Sequence, residues 1–250
     1  MKSEVYQKIL DGKAKGKKLF ALLLDPEKCT GDILNRTLAQ LLHHHPDFIF
    51  IGGSTGMFSA GKLIEQLAEI SVPKVLFPGD ASQFSDRADA LLFLSLISGR
   101  NSDYLIGQHV QSAVEVRRSG IEVIPTGYIL IDGGRNSAVE RVSQTKAIAA
   151  GKAETAVATA IAGELLGMKM IYLEAGSGAK QTVSPEMVQM LRENIDIPLI
   201  VGGGIRQTEQ VTKALKAGAD LIVIGNALEQ EPERIREFVR FFEAYNNELI

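Results

Sequence analysis

Cysteine is nearly absent from this 250-residue chain. A single Cys29 leaves no internal disulfide framework and fits a reducing, cytoplasmic setting. Long apolar runs are missing as well. No stretch approaches the ~20 uninterrupted apolar residues that a membrane-spanning helix needs. The first 18 residues are polar and lysine-rich, without an apolar run of signal-peptide length. Charge imbalance is also small: 27 Lys and Arg against 30 Asp and Glu give −3. No broad field would draw nucleic acid or an anionic membrane, so an anionic ligand must be held by local groups. Several chemistry-bearing patterns are lacking too. There is no HExxH, no paired Cys/His metal spacing, no Walker-type phosphate loop and no workable Ser-His-Asp order.

What is present is an alternation. The hydrophobic fraction of 45% suits a large buried core, and it is delivered in eight short runs. These are Leu19–Leu24, Phe48–Ile51, Lys74–Phe77, Ala90–Leu94, Glu122–Ile131, Met170–Glu174, Pro198–Val201 and Leu221–Ile224. Each is apolar throughout, as in parallel strands covered on both faces. Helical patterns separate them at Gly31–His45, Gly61–Ile70, Asp103–Ser119, Thr155–Gly167, Pro185–Asn194, Thr208–Ala217 and Pro232–Tyr245, with an extra helix at Val5–Lys15 in front. Eight such units in residues 1–250 predict a single α/β domain, a (β/α)8 TIM barrel, with an open doubly wound sheet as the alternative. Two connections are irregular. Pro78–Asp89 is too short for a regular third helix. Asp132–Glu154 carries a long loop of the kind that is usually functional.

Glycine concentrates in the last third. The sixth strand runs into Tyr172-Leu173-Glu174-Ala175-Gly176-Ser177-Gly178, the seventh into Gly202-Gly203-Gly204 and the eighth into Gly225-Asn226. Free N–H groups after a strand, with a helix N-terminus following, make an anion site, and barrels place a phosphate there. Glycines of tight turns are the plain alternative, but three adjacent clusters favour phosphate. Tyr172 and Glu174 are two apart, so their side chains share a face. At the mouth they would meet the hydroxyls of a polyol phosphate, with Glu174 as proton acceptor. Otherwise they are a core tyrosine and a loop cap.

At the other end of the chain, Asp25 follows the first strand and Ser54 the second. Both are expected across the barrel from the glycine clusters. Mg²⁺ is commonly held by few carboxylates, water and substrate phosphate; a turn or cap role is the alternative for each. His43, His44 and His45 read as a solvated helix end before Pro46, His109 as a packing residue and Cys29 as a bystander. Phe77–Asp80, Leu94–Ser98, Pro125–Tyr128 and the small residues of Ala156–Gly163 suggest an apolar slot, with close helix–sheet packing the simpler account.

These motifs resemble the geranylgeranylglyceryl phosphate synthase family of prenyltransferases and its bacterial heptaprenylglyceryl phosphate relatives. The resemblance rests on Leu24-Asp25-Pro26-Glu27-Lys28, Gly52-Gly53-Ser54, residues 98–109 (SGRNSDYLIGQH), Ile171 to Gly178, Val201 to Ile205 and Ile224-Gly225-Asn226. The Ala-Gly-Ser-Gly form looks like the second of the family's two groups. The resemblance implies a modified barrel without its third helix and a homo-oligomer. It also implies joining of a prenyl diphosphate, geranylgeranyl diphosphate foremost, to sn-glycerol 1-phosphate, with loss of diphosphate. Asp25 and Ser54 match its Mg²⁺ positions. Tyr172, Leu173, Glu174, Ala175, Gly176, Ser177, Gly178, Gly203, Gly204, Gly225 and Asn226 match its glycerol-phosphate positions, Glu174 assisting deprotonation, and the slot would hold the prenyl chain. Two positions depart: Phe77 stands where some members carry Glu, and Ser54 where some carry Thr. A different sugar-phosphate barrel enzyme, or a phosphate-binding barrel without catalysis, would carry the same glycine clusters.

Overall fold

In a computed structural model, which describes residues 4–53 and 59–248, all eight runs form strands of one closed parallel barrel in chain order. They are β1 Leu19–Leu24, β2 Phe48–Ile51, β3 Lys74–Leu76, β4 Ala90–Leu96, β5 Glu122–Leu130, β6 Met170–Glu174, β7 Leu199–Gly202 and β8 Leu221–Ile224. Closure is made by β1 against β8, with Leu19 opposite Leu221 and Leu22 opposite Ile224. The open doubly wound alternative is therefore excluded.

The twofold periodicity of a strand sorts the side chains. Leu19 and Ala21 of β1, Val75 of β3, Leu92 of β4 and Met170 and Tyr172 of β6 fill the barrel interior. Their neighbours Phe20, Leu22, Leu91, Ile171 and Leu173 face outward into a second core beneath the helices. Glu174 continues the inward series of β6 at the C-terminal end of the barrel, where barrel enzymes place their chemistry.

The outer layer contains α1 Glu4–Ala14, α2 Gly31–Leu41, α3 Ala60–Gln66, α4 Gln108–Ser119, α5 Ala138–Ser143, α6 Ala153–Leu165, α7 Pro185–Arg192, α8 Thr208–Lys216, α9 Asn226–Gln230 and α10 Ile235–Asn247. The third crossover, after β3, has only a 3₁₀ turn at Ala81–Gln83, capped by Asp80, whose carboxylate accepts the Ser82 N–H at 2.8 Å. A regular helix is missing there, as the short connection predicts. A π-helical turn, Asp103–Gly107, leads into α4.

Some boundaries differ from expectation. Helix α2 stops at Leu41, four residues before His45, because Pro46 disfavours helical backbone in the residue ahead of it. Asp132–Glu154 is not a bare loop. It contains α5, with a Ser137–Glu140 capping box, and a bridge from Ile131 to Ile148. Among the described residues, no helix is long and apolar enough to cross a membrane.

Candidate functional site

The glycine clusters meet at one corner of the mouth. Gly176, Gly178, Gly203 and Gly204 all have positive φ, and at Gly203 (φ +83°) the requirement is also steric. A Cβ there would lie 2.3 Å from Glu174 Oε1 and 2.6 and 2.7 Å from the amide nitrogens of Ala175 and Gly176. The absent side chain leaves a hollow beside the Glu174 carboxylate and the Ala175 and Gly176 nitrogens, whose N–H groups donate to the Gly202 carbonyl and to Glu174. Short helix α9 begins at Asn226 immediately after Gly225 and adds its N-terminus to the same corner.

Glu174 and Tyr172 stand inside this corner. The Glu174 carboxylate accepts the Gly176 N–H at 2.8 Å. Burial lifts its pKa to about 7, against the opposing effects of the Tyr172 phenol and that N–H. Such a carboxyl takes or yields a proton near neutrality. The Tyr172 side chain is fully buried with its hydroxyl beside the Glu174 carboxylate, which it helps hold down in pKa. Among the described residues, though, no hydrogen bond of ordinary geometry satisfies that hydroxyl. A buried hydroxyl left unmatched is costly and calls for a bound group. Below it, the rings of Phe77, Tyr128 and Tyr172 pack with centroids 5.2–6.1 Å apart and floor the mouth.

Asp25 lies beside this corner, not across from it, because β1 closes the barrel against β8. Lys28 makes the link. Its Nζ is 3.0 Å from Asp25 Oδ2, 3.2 Å from Asn226 Oδ1 and 3.5 Å from Glu229 Oε2. Buried Glu229 accepts the Asp25 N–H at 2.7 Å, and Asp25 Oδ1 accepts the Glu27 N–H at 3.0 Å. Strand β2 ends against Asp25. A Cβ on Gly53 would lie 2.7 Å from Asp25 Oδ1, so glycine leaves the face of that carboxylate bare. Among the described residues no group of three or more His, Cys, Asp or Glu is gathered for a metal.

From the mouth a cavity continues as an apolar slot along β4. Strand β4 runs toward the mouth and α4 runs back from it. The slot therefore passes from Leu96 and Tyr104 near the opening to Leu91 and Val116 at its far end, with Phe84 and Phe93 along it. The missing third helix makes the room. The small residues of α6 do not line it. At Gly163 a Cβ would lie 2.8 Å from Ile97 Cδ1 and 3.1 Å from Ile171 Cδ1, so that helix sits tight on the sheet.

The chain matches the PcrB family over residues 13–242. It belongs to that family. Among its PcrB-family relatives, geranylgeranylglyceryl phosphate synthase from Flavobacterium johnsoniae is 49% identical over 229 residues, 91% of this chain and 94% of that one. The enzyme of the same name from Chitinophaga pinensis is 46% identical over 239 residues, 95% of each chain. A crystal structure of (S)-3-O-geranylgeranylglyceryl phosphate synthase from Thermoplasma acidophilum in complex with substrate sn-glycerol-1-phosphate superposes with a TM-score of 0.87. It is 30% identical and covers 98% of this chain and 100% of its own. Tryptophan synthase from M. tuberculosis, at a TM-score of 0.60 and 15% identity, shares the fold alone.

In this PcrB-family chain the structure gathers Tyr172, Glu174, Gly178, Gly203, Gly204, Gly225, Asn226 and Asp25 around one cavity. Ala175 and Gly176 border it through their amides. Ser177 lines the same cavity at its exposed rim, whereas Leu173 points the other way, into the outer core. Ser54 lies outside the described residues. His109 is buried against Phe93 with its Nε2 3.2 Å from Ser95 Oγ, and burial lowers its pKa. Cys29 is buried, and its thiol is pushed up to about 11 by burial and by Glu229, which excludes a ready nucleophile. Sequence reasoning misses Glu229 and the bridging role of Lys28. Glu229 is 204 positions from Asp25, and nothing local marks it.

Proposed function

We propose that this chain transfers a prenyl group from a prenyl diphosphate, geranylgeranyl diphosphate foremost, to sn-glycerol 1-phosphate. The observation that carries this reading is one cavity with two unlike ends, a glycine-rich corner holding Glu174 and Tyr172 and an apolar slot beside α4. The names of the relatives, and the sn-glycerol-1-phosphate bound to the Thermoplasma acidophilum enzyme, support the same pairing of substrates.

The chain's own groups account for the steps. Amides at Gly178, Gly203, Gly204 and Asn226 hold the phosphate, and Tyr172 and Glu174 hold the glycerol hydroxyls and aim the terminal one at the mouth. That oxygen attacks C1 of the prenyl chain, the bond from C1 to diphosphate breaks, and diphosphate leaves with the bonding electrons. The hydroxyl proton passes to Glu174, whose pKa of about 7 suits it as acceptor. The slot keeps the chain straight and dry.

Mg²⁺ belongs to the same proposal. Asp25 is a hard oxygen donor at the mouth with a bare face beside Gly53, and one carboxylate completed by substrate phosphate and water is a usual way to hold this ion. Ser54 is the second residue that would hold it. When bound, the ion would supply Lewis-acid stabilisation of the departing diphosphate. Self-association is also proposed. Ile106, Val110 and Val114 are exposed at four-residue spacing along one helical face, a stripe that a second copy would cover.

The test is product analysis with sn-glycerol 1-phosphate and a ladder of prenyl diphosphates, with Mg²⁺ and with chelator. An ether-linked prenylglyceryl phosphate formed only with the metal is the expected result. No ether product from any chain length would overturn the reading. Light scattering on the purified chain decides the oligomer.

A further inference from the structure

Two arginines frame the glycine corner. Arg135, on the loop after β5, donates from Nη1 to the Gly178 carbonyl at 3.3 Å. Its Nη1 lies 3.1 Å from where a Gly178 Cβ would stand, and Asn226 Nδ2 lies 3.5 Å from the same point. Arg206, on the loop after β7, donates from Nη2 to the Ala179 carbonyl at 2.9 Å and from Nη1 to the Gly204 carbonyl at 3.2 Å. The guanidinium groups thus grip the β6 and β7 loops whose Gly178, Gly203 and Gly204 line the cavity.

Neither side chain is spent on an ion pair among the described residues, a property shared with Arg100 and Arg141; what distinguishes Arg135 and Arg206 is their place at the glycine corner, where Arg206 itself lines the cavity. Arg36, Arg87, Arg192 and Arg234 each pair with a carboxylate. Neither Arg135 nor Arg206 has a carboxylate within ion-pair distance among the described residues; both give their donors to neutral carbonyls. Each is nevertheless held in place. The Gly133 carbonyl, two residues before Arg135, accepts the N–H groups of Lys180 and Gln181 at 2.9 and 3.1 Å. Arg206 donates its own N–H to Gln210 Oε1 at 2.7 Å, and its carbonyl accepts from Arg234 at 2.9 Å. Two positioned cations without an ion-pair partner among the described residues, beside loops whose glycines line the cavity, favour an anion, in a chain whose net charge of −3 offers no general attraction.

We propose that Arg135 and Arg206 form a cationic rim that draws in and retains the phosphate of the acceptor substrate at the glycine corner. The proposal rests on the phosphate-ester reading above and assigns two side-chain charges to a site otherwise built of backbone. It also gives the long connection after β5 a use.

The experiment is isothermal titration of the full chain with sn-glycerol 1-phosphate and, separately, inorganic phosphate, across a sodium chloride series. The variants are Arg135→Gln, Arg206→Gln, the double Gln variant and each Arg→Lys. Gln keeps an N–H donor for the carbonyl and loses the charge; Lys keeps the charge. Each Gln variant should weaken both ligands about tenfold and flatten the salt dependence, while Lys retains most of the affinity and all melt as the wild type does. Gln variants that bind both anions as tightly as the wild type would overturn the rim, as would equal losses in Gln and Lys with the salt dependence intact. A wild type that binds inorganic phosphate in this Arg-dependent way but ignores sn-glycerol 1-phosphate would uphold the rim and sink the substrate reading. A wild type that binds neither sinks both.

Discussion

Replacing Glu174 by Gln separates the cost of burying a charge from the use made of it. Glu174 is 7% exposed, and burial raises its pKa from 4.5 to about 7 in spite of the Tyr172 phenol and the Gly176 N–H. The folded chain therefore binds this proton more tightly than the unfolded chain. Stability drawn from the protonated carboxyl is fully present below about pH 4.5 and is lost as the pH rises through about 7. At about 1.36 kcal/mol per pH unit, the gap between 4.5 and about 7 amounts to roughly 3 kcal/mol. Gln cannot ionise, and its Oε1 can still accept the Gly176 N–H. Relative to the wild type, Glu174→Gln should thus gain roughly 3 kcal/mol of stability between pH 4.5 and 8. Urea unfolding of both proteins at half-unit pH steps, at fixed ionic strength, measures the difference. Binding of sn-glycerol 1-phosphate should move in the opposite sense, weakest in the variant at high pH, where the lost carboxylate would have accepted the glycerol hydroxyls. The phosphate's own titration is common to both proteins and cancels in the comparison. Parallel pH–stability curves would refute the argument, since they would mean that the carboxyl titrates alike in the folded and unfolded chains.

Other substitutions test other parts of the site. Tyr172→Phe removes a buried hydroxyl whose hydrogen-bond geometry is unsatisfied in the empty protein, so stability should stay within about 1 kcal/mol of the wild type, while sn-glycerol 1-phosphate binds about tenfold more weakly by titration. Asp25→Ala should abolish turnover and leave sn-glycerol 1-phosphate affinity within about threefold; retained turnover would remove Asp25 from the leaving-group end. Val116→Phe fills the far end of the slot. It should lower kcat/KM for geranylgeranyl diphosphate about tenfold or more while sparing a shorter prenyl diphosphate, and an equal effect on both would place the chain elsewhere.

What the sequence makes legible follows from how local each feature is. The strands at Leu19–Leu24, Phe48–Ile51, Met170–Glu174 and Leu221–Ile224 have the expected limits, because an apolar run flanked by polar or glycine residues is a local signal. Tyr172 and Glu174 share the inward face because strand periodicity puts them there. The end of α2 falls short of its pattern because the pattern continues through residues that the backbone near Pro46 cannot keep helical. Asp25 is expected across from the glycine corner only because chain order hides closure: the first and last strands are far apart in the chain and adjacent in space. For Ala156–Gly163 the simpler account, close helix–sheet packing, holds, and only the groove reading fails. Small residues such as Gly163 look like a groove in one dimension, yet they are what lets α6 approach the sheet closely. Arg135, Lys28 and Glu229 escape because their partners are long-range.

Barrel order also bears on why one cavity should hold two ligands. The glycine corner is centred on β7 and the slot opens at β3 and β4, nearly opposite in a ring of eight. A ligand head at one side and a tail at the other would bring their reacting ends together over the aromatic floor of Phe77, Tyr128 and Tyr172, with Asp25, just after β1, within the same cavity. A lone sugar phosphate would occupy only the β7 side. It would leave Leu91, Phe93 and Val116 lining a slot with no apolar group to fill it, and keeping such a slot open sacrifices the packing that a regular third helix would supply. The glycine corner alone is compatible with many phosphate esters. The slot is what favours a donor with a long apolar tail, and it exists because Pro78–Asp89 is too short to close it.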